Sequence, residues 1–136
     1  MATPYNLRIE RKRGDTEELI INLKTNKKPR DITGCSFKLT VNKEQSPINT
    51  NNQIMQLNAT IVDAEKGSIM FEFDEVNTNY IGQYFFDIEM TKPNGKTRTI
   101  AEGYFIFAQD ISKWKKRPKA ALFVMHLLFL LKLIQL

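Results

Sequence analysis

The feature that most constrains this chain is a series of short stretches in which apolar and polar residues alternate. The clearest is residues 35–41, where an apolar residue occupies every second position. A period of two is typical of a half-buried β-strand. Similar stretches occur at residues 5–10, 19–25, 54–62, 68–74, 82–91 and 97–108. No helical pattern interrupts the series, so the sequence predicts one all-β domain, either an antiparallel two-sheet sandwich or a small barrel.

Turn-forming residues separate these stretches. The segment from Asp63 to Gly67 predicts a tight turn that needs glycine at its last position. Asn94 and Gly95 both tolerate positive φ, which predicts a primed hairpin turn between the last two strands. Residues 42–53 are rich in Asn, Gln, Ser and Thr, and we expect them to form a long, exposed loop.

A local spacing narrows the choice of fold. In Gly82-x-Tyr84-x-Phe86, the tyrosine stands two residues before a residue expected to be buried, as it does where a strand enters an immunoglobulin-like sandwich. Tyr84 would bond back to the preceding corner, and Phe86 would take the core position that a cysteine holds in antibody domains. The sequence therefore predicts an immunoglobulin-like sandwich of about seven strands over residues 1–112. We expect the core to contain Phe37, Phe71, Phe73, Phe86 and Phe107.

The positive charge is concentrated at one end of the chain. Residues 1–112 hold 14 Lys and Arg against 15 Asp and Glu, whereas residues 113–136 hold six Lys and Arg and no acid. Within the first 112 residues the main basic cluster is Arg8, Arg11, Lys12 and Arg13, which we interpret as a solvated surface. A nucleic-acid-binding domain usually spreads cations over one face, so no nucleic-acid partner is expected.

The sequence offers little catalytic chemistry. It has one histidine, His126, and one cysteine, Cys35, which falls at an inward strand position. That leaves no pairing of nucleophile and base and no thiolate or imidazole ligand set for zinc. The six glycines are scattered and form no phosphate-binding loop. We therefore expect no enzymatic activity, no metal and no cofactor.

Residues 113–136 form a basic and then apolar C-terminal tail. In the part from Ala120 to Leu136, 14 of 17 residues are apolar, so a helix there would be apolar on nearly every side. Three interpretations remain open: burial against partner subunits, a short membrane anchor, or a disordered or non-native end. The first makes the tail an attachment element. Its candidate partner-binding residues are Lys113, Trp114, Lys115, Lys116, Arg117, Leu122, Phe123, Leu127, Phe129 and Leu130.

Several short motifs resemble a known family. They include Asp31-Ile-Thr33-Gly34 before a strand, Gly82-x-Tyr84, and Asn94-Gly95-Lys96 leading to Gly103-Tyr104. Over about residues 8–112 they resemble the N-terminal domain of phage baseplate upper proteins. The resemblance implies an immunoglobulin-like module of a tailed-phage virion that serves in assembly and docking without catalysis.

The resemblance also sets the expected partners and location. We expect a structural virion subunit, made in the host cytoplasm, that binds other virion proteins and copies of itself. Members of the family usually continue into a long second region, so a small subunit on baseplate, neck or capsid fits this length better than a full baseplate arm. The alternatives are a host-surface or carbohydrate-binding module and a membrane-anchored small β protein.

Overall fold

The computed structural model describes residues 4–111, and in this range it contains strands and no helix. The all-β prediction is therefore confirmed. The strands are β1 (Tyr5–Lys12), β2 (Leu19–Asn22), β3 (Lys24–Thr25), β4 (Lys28–Pro29), β5 (Ser36–Asn42), β6 (Gln53–Asn58), β7 (Thr60–Asp63), β8 (Ser68–Phe71), β9 (Gly82–Thr91) and β10 (Thr97–Ala108). The predicted tail lies outside the described residues.

These strands form two sheets and one small hairpin. The larger sheet has the order β1-β10-β9-β5-β6, the smaller one β2-β8-β7, and β3 pairs only with β4. One cluster of buried apolar side chains takes residues from both sheets, for example Ile88 from β9 and Ile69 from β8. The architecture is a β-sandwich with its core between the sheets.

Two features of the strand pairing differ from the prediction. β1 runs parallel to β10, with Tyr5 opposite Ala101 and Lys12 opposite Ala108, so the larger sheet is mixed rather than purely antiparallel. The stretch 54–62, predicted as one strand, is divided at Ala59 into β6 and β7, which belong to different sheets. Ala59 donates its N–H to the carbonyl of Phe37 at 2.9 Å. The chain thus passes from one sheet to the other there and joins them along one side.

The core contains the predicted phenylalanines. Phe37, Phe71, Phe73, Phe86 and Phe107 are all buried. Phe105, which was not among the predicted core residues, is also fully buried. Its ring contacts those of Phe73, Phe86 and Phe107 at centroid distances of 4.9–6.1 Å. Its inward direction follows from the period of two along β10, because Phe105 lies two residues before Phe107, which also faces the core.

The hairpin turn at residues 92–96 has a different type from the one predicted. Only Gly95 has a positive φ there (+84°); its N–H donates to the carbonyl of Lys92, whose own N–H donates to the carbonyl of Lys96. This is a three-residue loop ending in a left-handed glycine. The two-residue primed turn occurs instead between β3 and β4, where Asn26 and Lys27 have φ of 51° and 66°.

Candidate docking surfaces

The corner before β9 is formed by Tyr84. Its hydroxyl donates to the carbonyl of Ile81 at 3.1 Å, which is the bond that the Gly-x-Tyr spacing predicts. The ring packs edge-on against Phe107 and Tyr80. Burial, with a smaller contribution from Tyr80, raises the pKa of Tyr84 above its usual value of 10.0. Phe86, two residues later, is buried in the core. Both side chains therefore pack inside the domain.

The basic cluster of β1 is not the solvated surface that the sequence suggested. Arg13 is completely buried, and its Nε donates to Oδ1 of Asp110 in an ion pair. Arg11 places its guanidinium 5.3 Å from the centre of the Phe73 ring and donates to the carbonyls of Glu17 and Glu18. Two of the four cations, Arg11 and Arg13, thus interact with groups of the domain itself. No local pattern indicates the ion pair, because Arg13 and Asp110 lie 97 residues apart.

A groove of about 570 Å³ lies on the outer face of the larger sheet, below the loop 42–53. Phe85 and Tyr104 face each other across β9 and β10 with ring centres 5.5 Å apart. The next pair on that face consists of two carboxylates, Asp87 opposite Glu102. Partial burial, and then the charges of Glu89 and Glu102, raise the pKa of Asp87 above its usual 3.8. The groove therefore combines an aromatic pair with acidic groups.

A second cavity opens between the free edges of the two sheets. It has a volume of about 320 Å³ and an almost entirely apolar lining. β1 contributes Tyr5 and Leu7, β2 contributes Ile21, and Ile88 and Ile100 form the floor. We call this cavity the β1–β2 seam. Its rim is unusually exposed for apolar residues, with Tyr5 at 66% and Leu7 at 40%.

The structure gives no geometry for the predicted attachment residues. All ten, from Lys113 to Leu130, lie outside residues 4–111. Within that range no group of three or more His, Cys, Asp or Glu residues could hold a metal ion. The same range contains no helix long and apolar enough to cross a membrane. Cys35 is partly buried beside the core.

The comparison with known families decides the relationship. The model of the BppU (baseplate upper protein) N-terminal domain matches residues 3–118 of this chain, which is most of its length. The chain belongs to this family. The family is a component of the phage virion, so the protein is a structural protein of a bacteriophage particle that interacts with other virion proteins.

A solved structure supports the fold. The "N-terminal domain of phage TP901-1 ORF48" is similar with a TM-score of 0.51 and 10% sequence identity, covering 78% of this chain and 90% of that one. At this identity the similarity concerns the fold alone. No curated protein matches the chain.

Proposed function

We propose that this BppU N-terminal domain is a non-catalytic assembly and docking module of the phage particle. The match over residues 3–118 carries the proposal, because it makes the chain a virion structural protein. The chemistry of the described residues supports it: they include no histidine, and Cys35 is partly buried. The β1–β2 seam adds a surface suited to a protein partner, since exposed apolar side chains around an apolar cavity mark interaction sites.

We further propose that residues 113–136 attach the domain to neighbouring subunits, including copies of itself. The 14 apolar residues between Ala120 and Leu136 would invite aggregation if left exposed. Burial against a partner would remove this apolar surface from water. The cations from Lys113 to Lys119 would pair with acidic groups on the partner and fix orientation more than affinity.

Quantitative mass spectrometry of purified particles tests the proposal. A structural subunit should occur at a fixed copy number relative to the major virion proteins, and it should stay with the particle through a salt wash. A protein absent from particles, or present at a ratio that varies between preparations, would contradict a structural role. A phage lacking the gene should also lack the particle substructure that this subunit helps to form.

One observation favours a second candidate function, the binding of host-surface carbohydrate. Sugar sites commonly combine aromatic faces, which pack against the ring, with carboxylates that accept hydroxyl hydrogen bonds. The groove of the larger sheet offers both, in Phe85 with Tyr104 and in Asp87 with Glu102. A glycan array probed with the full chain, with Tyr104→Ala as the groove variant and Tyr5→Ala as the matched exposed tyrosine, tests it. Binding that Tyr104→Ala abolishes and Tyr5→Ala preserves would establish this function.

A further inference from the structure

The two sides of the sandwich are closed to different extents. On one side, Ala59 connects β6 directly to β7 and so joins the two sheets. On the other side, β1 and β2 are the edge strands of separate sheets. The β1–β2 seam lies between them. Each edge strand also has one side without a strand partner among residues 4–111, and such an edge is a template for another strand.

Among residues 4–111, the seam is open at the end of β1 that begins with Tyr5. The residues of β1 that face the smaller sheet form a row of Tyr5, Leu7, Ile9 and Arg11. At the far end Ile9 packs against the core and Arg11 lies over the Phe73 ring. At the near end Tyr5 and Leu7 line the cavity and remain exposed. A segment that packs apolar side chains against Tyr5 and Leu7 would cover the exposed end of this row.

We propose that the β1–β2 seam is the docking site for the apolar segment Ala120–Leu136 of a second copy of this chain. This inference rests on the proposed role of residues 113–136 as an attachment element, and it names the surface that receives them. The chemistry matches on both sides, because the seam has an apolar lining and the segment has 14 apolar residues among 17. The cavity is of the size of a small ligand pocket, so it would take a few side chains as anchors.

The length of the chain favours a neighbouring copy over the chain's own segment. Asp110 is held by Arg13 at the end of β10, beside Lys12, whereas the seam lies near Ala101 at the opposite end of the β1–β10 pair. Returning from Ala108 to Ala101 covers about 23 Å at the rise of a strand. Ten Cα–Cα steps lead from Asp110 to Ala120, and they span at most about 33–36 Å when fully extended. Within one copy, the return and the passage around the sheet edge would use most of this length, whereas the tail of a second copy can approach the seam without that detour.

Charge favours the same arrangement. Residues 1–112 carry one more acid than base, whereas residues 113–136 carry six cations and no acid. The tails of two copies therefore repel each other, whereas the nearly neutral body does not repel a tail, so contact between a tail and a body is favoured over contact between two tails. A contact between seam and tail is heterologous, since each copy offers one seam and one tail. Two copies can therefore exchange tails in a closed dimer, and successive copies can also form a ring or an open chain.

Sedimentation velocity on purified full chains tests the inference. The seam variant is Leu7→Gln, and Ile20→Gln is its matched control, because Ile20 is also an exposed apolar residue of an edge strand (57%) but does not line the seam. We expect the wild type and Ile20→Gln to self-associate with equal strength. Leu7→Gln should weaken association at least about tenfold, since burial of a leucine side chain contributes that much or more. Circular dichroism checks that each variant is folded, and Tyr5→Ser is the alternative seam variant should Leu7→Gln unfold.

A mixing experiment separates a seam–tail contact from other contacts. A tail variant, Leu127→Gln with Phe129→Gln and Leu130→Gln, keeps an intact seam, and Leu7→Gln keeps an intact tail. At a concentration where neither variant alone self-associates, their mixture should form a one-to-one heterodimer that does not grow further. A monomeric wild type, equal association of Leu7→Gln and Ile20→Gln, or failure of the mixture to pair would each overturn the inference. The proposed function stands or falls separately, on whether the protein occurs at fixed copy number in particles.

Discussion

Among single residues, Gly103 is the position where the fold tolerates least. It has φ of +148°, and a Cβ placed there would overlap the backbone carbonyl of Leu7 on the neighbouring strand. We expect Gly103→Ala to lower the free energy of unfolding by roughly 3 kcal/mol, because β1 must move away from β10. Gly95→Ala is the control, since Gly95 also has positive φ but no atom lies within 4 Å of its Cβ position. It should cost only about 1 kcal/mol. Equal losses in urea unfolding would contradict the close approach of β1.

A second residue-level prediction concerns Asp87, which stands directly opposite Glu102. Its pKa is raised in the folded state, so ionisation opposes folding, and the cost appears as the pH rises above the usual value of 3.8. Asp87→Asn should therefore stabilise the protein at pH 7 by roughly 0.3 kcal/mol, a small gain because the site is partly exposed. The gain should vanish at pH 3, where both states are protonated. Urea unfolding at the two pH values measures it, with Glu65→Gln as the control for net charge; a gain that persists at pH 3 would rule out this cause.

At the level of strands, the parallel pairing of β1 with β10 depends on a buried ion pair at its end. Arg13 and Asp110 are both buried, and the guanidinium donates to the carboxylate. Arg13→Ala should cost about 3–5 kcal/mol, because it leaves a buried carboxylate without its counter-charge. Arg8→Ala is the control, since Arg8 lies within β1 and makes only an exposed ion pair with Glu10 at 3.9 Å. That change should cost less than about 1 kcal/mol. Thermal unfolding of both variants makes the comparison, and similar melting temperatures would show that the pair contributes little.

Strands also show what the sequence could predict. Alternation located the strands and their inward faces because it is a local property, and the corner at Tyr84 followed from a spacing of two residues. Three features are not local and were missed: the parallel pairing of β1, the change of sheet at Ala59, and the ion pair of Arg13. Each depends on contacts between distant parts of the chain. The groove and the seam were missed for the same reason, since both lie between strands far apart in sequence.

In the whole molecule, the body (residues 1–112) and the tail (residues 113–136) differ in charge and in apolar content. The body has its own core and a nearly neutral charge, whereas the tail carries six cations and, from Ala120 to Leu136, 14 apolar residues. If the tail attaches the domain to partner subunits, its removal should abolish incorporation into particles and leave the fold intact. If it is a membrane anchor, its removal should instead abolish binding to lipid, since basic residues beside an apolar segment favour anionic membranes.

Deletion of residues 113–136 distinguishes these outcomes. We expect the full chain to assemble into particles and to remain in the supernatant when mixed with anionic phospholipid vesicles, and the truncated chain to be folded but missing from particles.

A second truncation after Pro118 keeps the family-matched residues 3–118 and most of the cations. Because the apolar segment is expected to provide the affinity and the cations the orientation, this chain should also be lost from particles. Full incorporation of either truncation would show that the body alone docks. Vesicle binding by the full chain that both truncations lose would replace the partner-subunit interpretation with the membrane one.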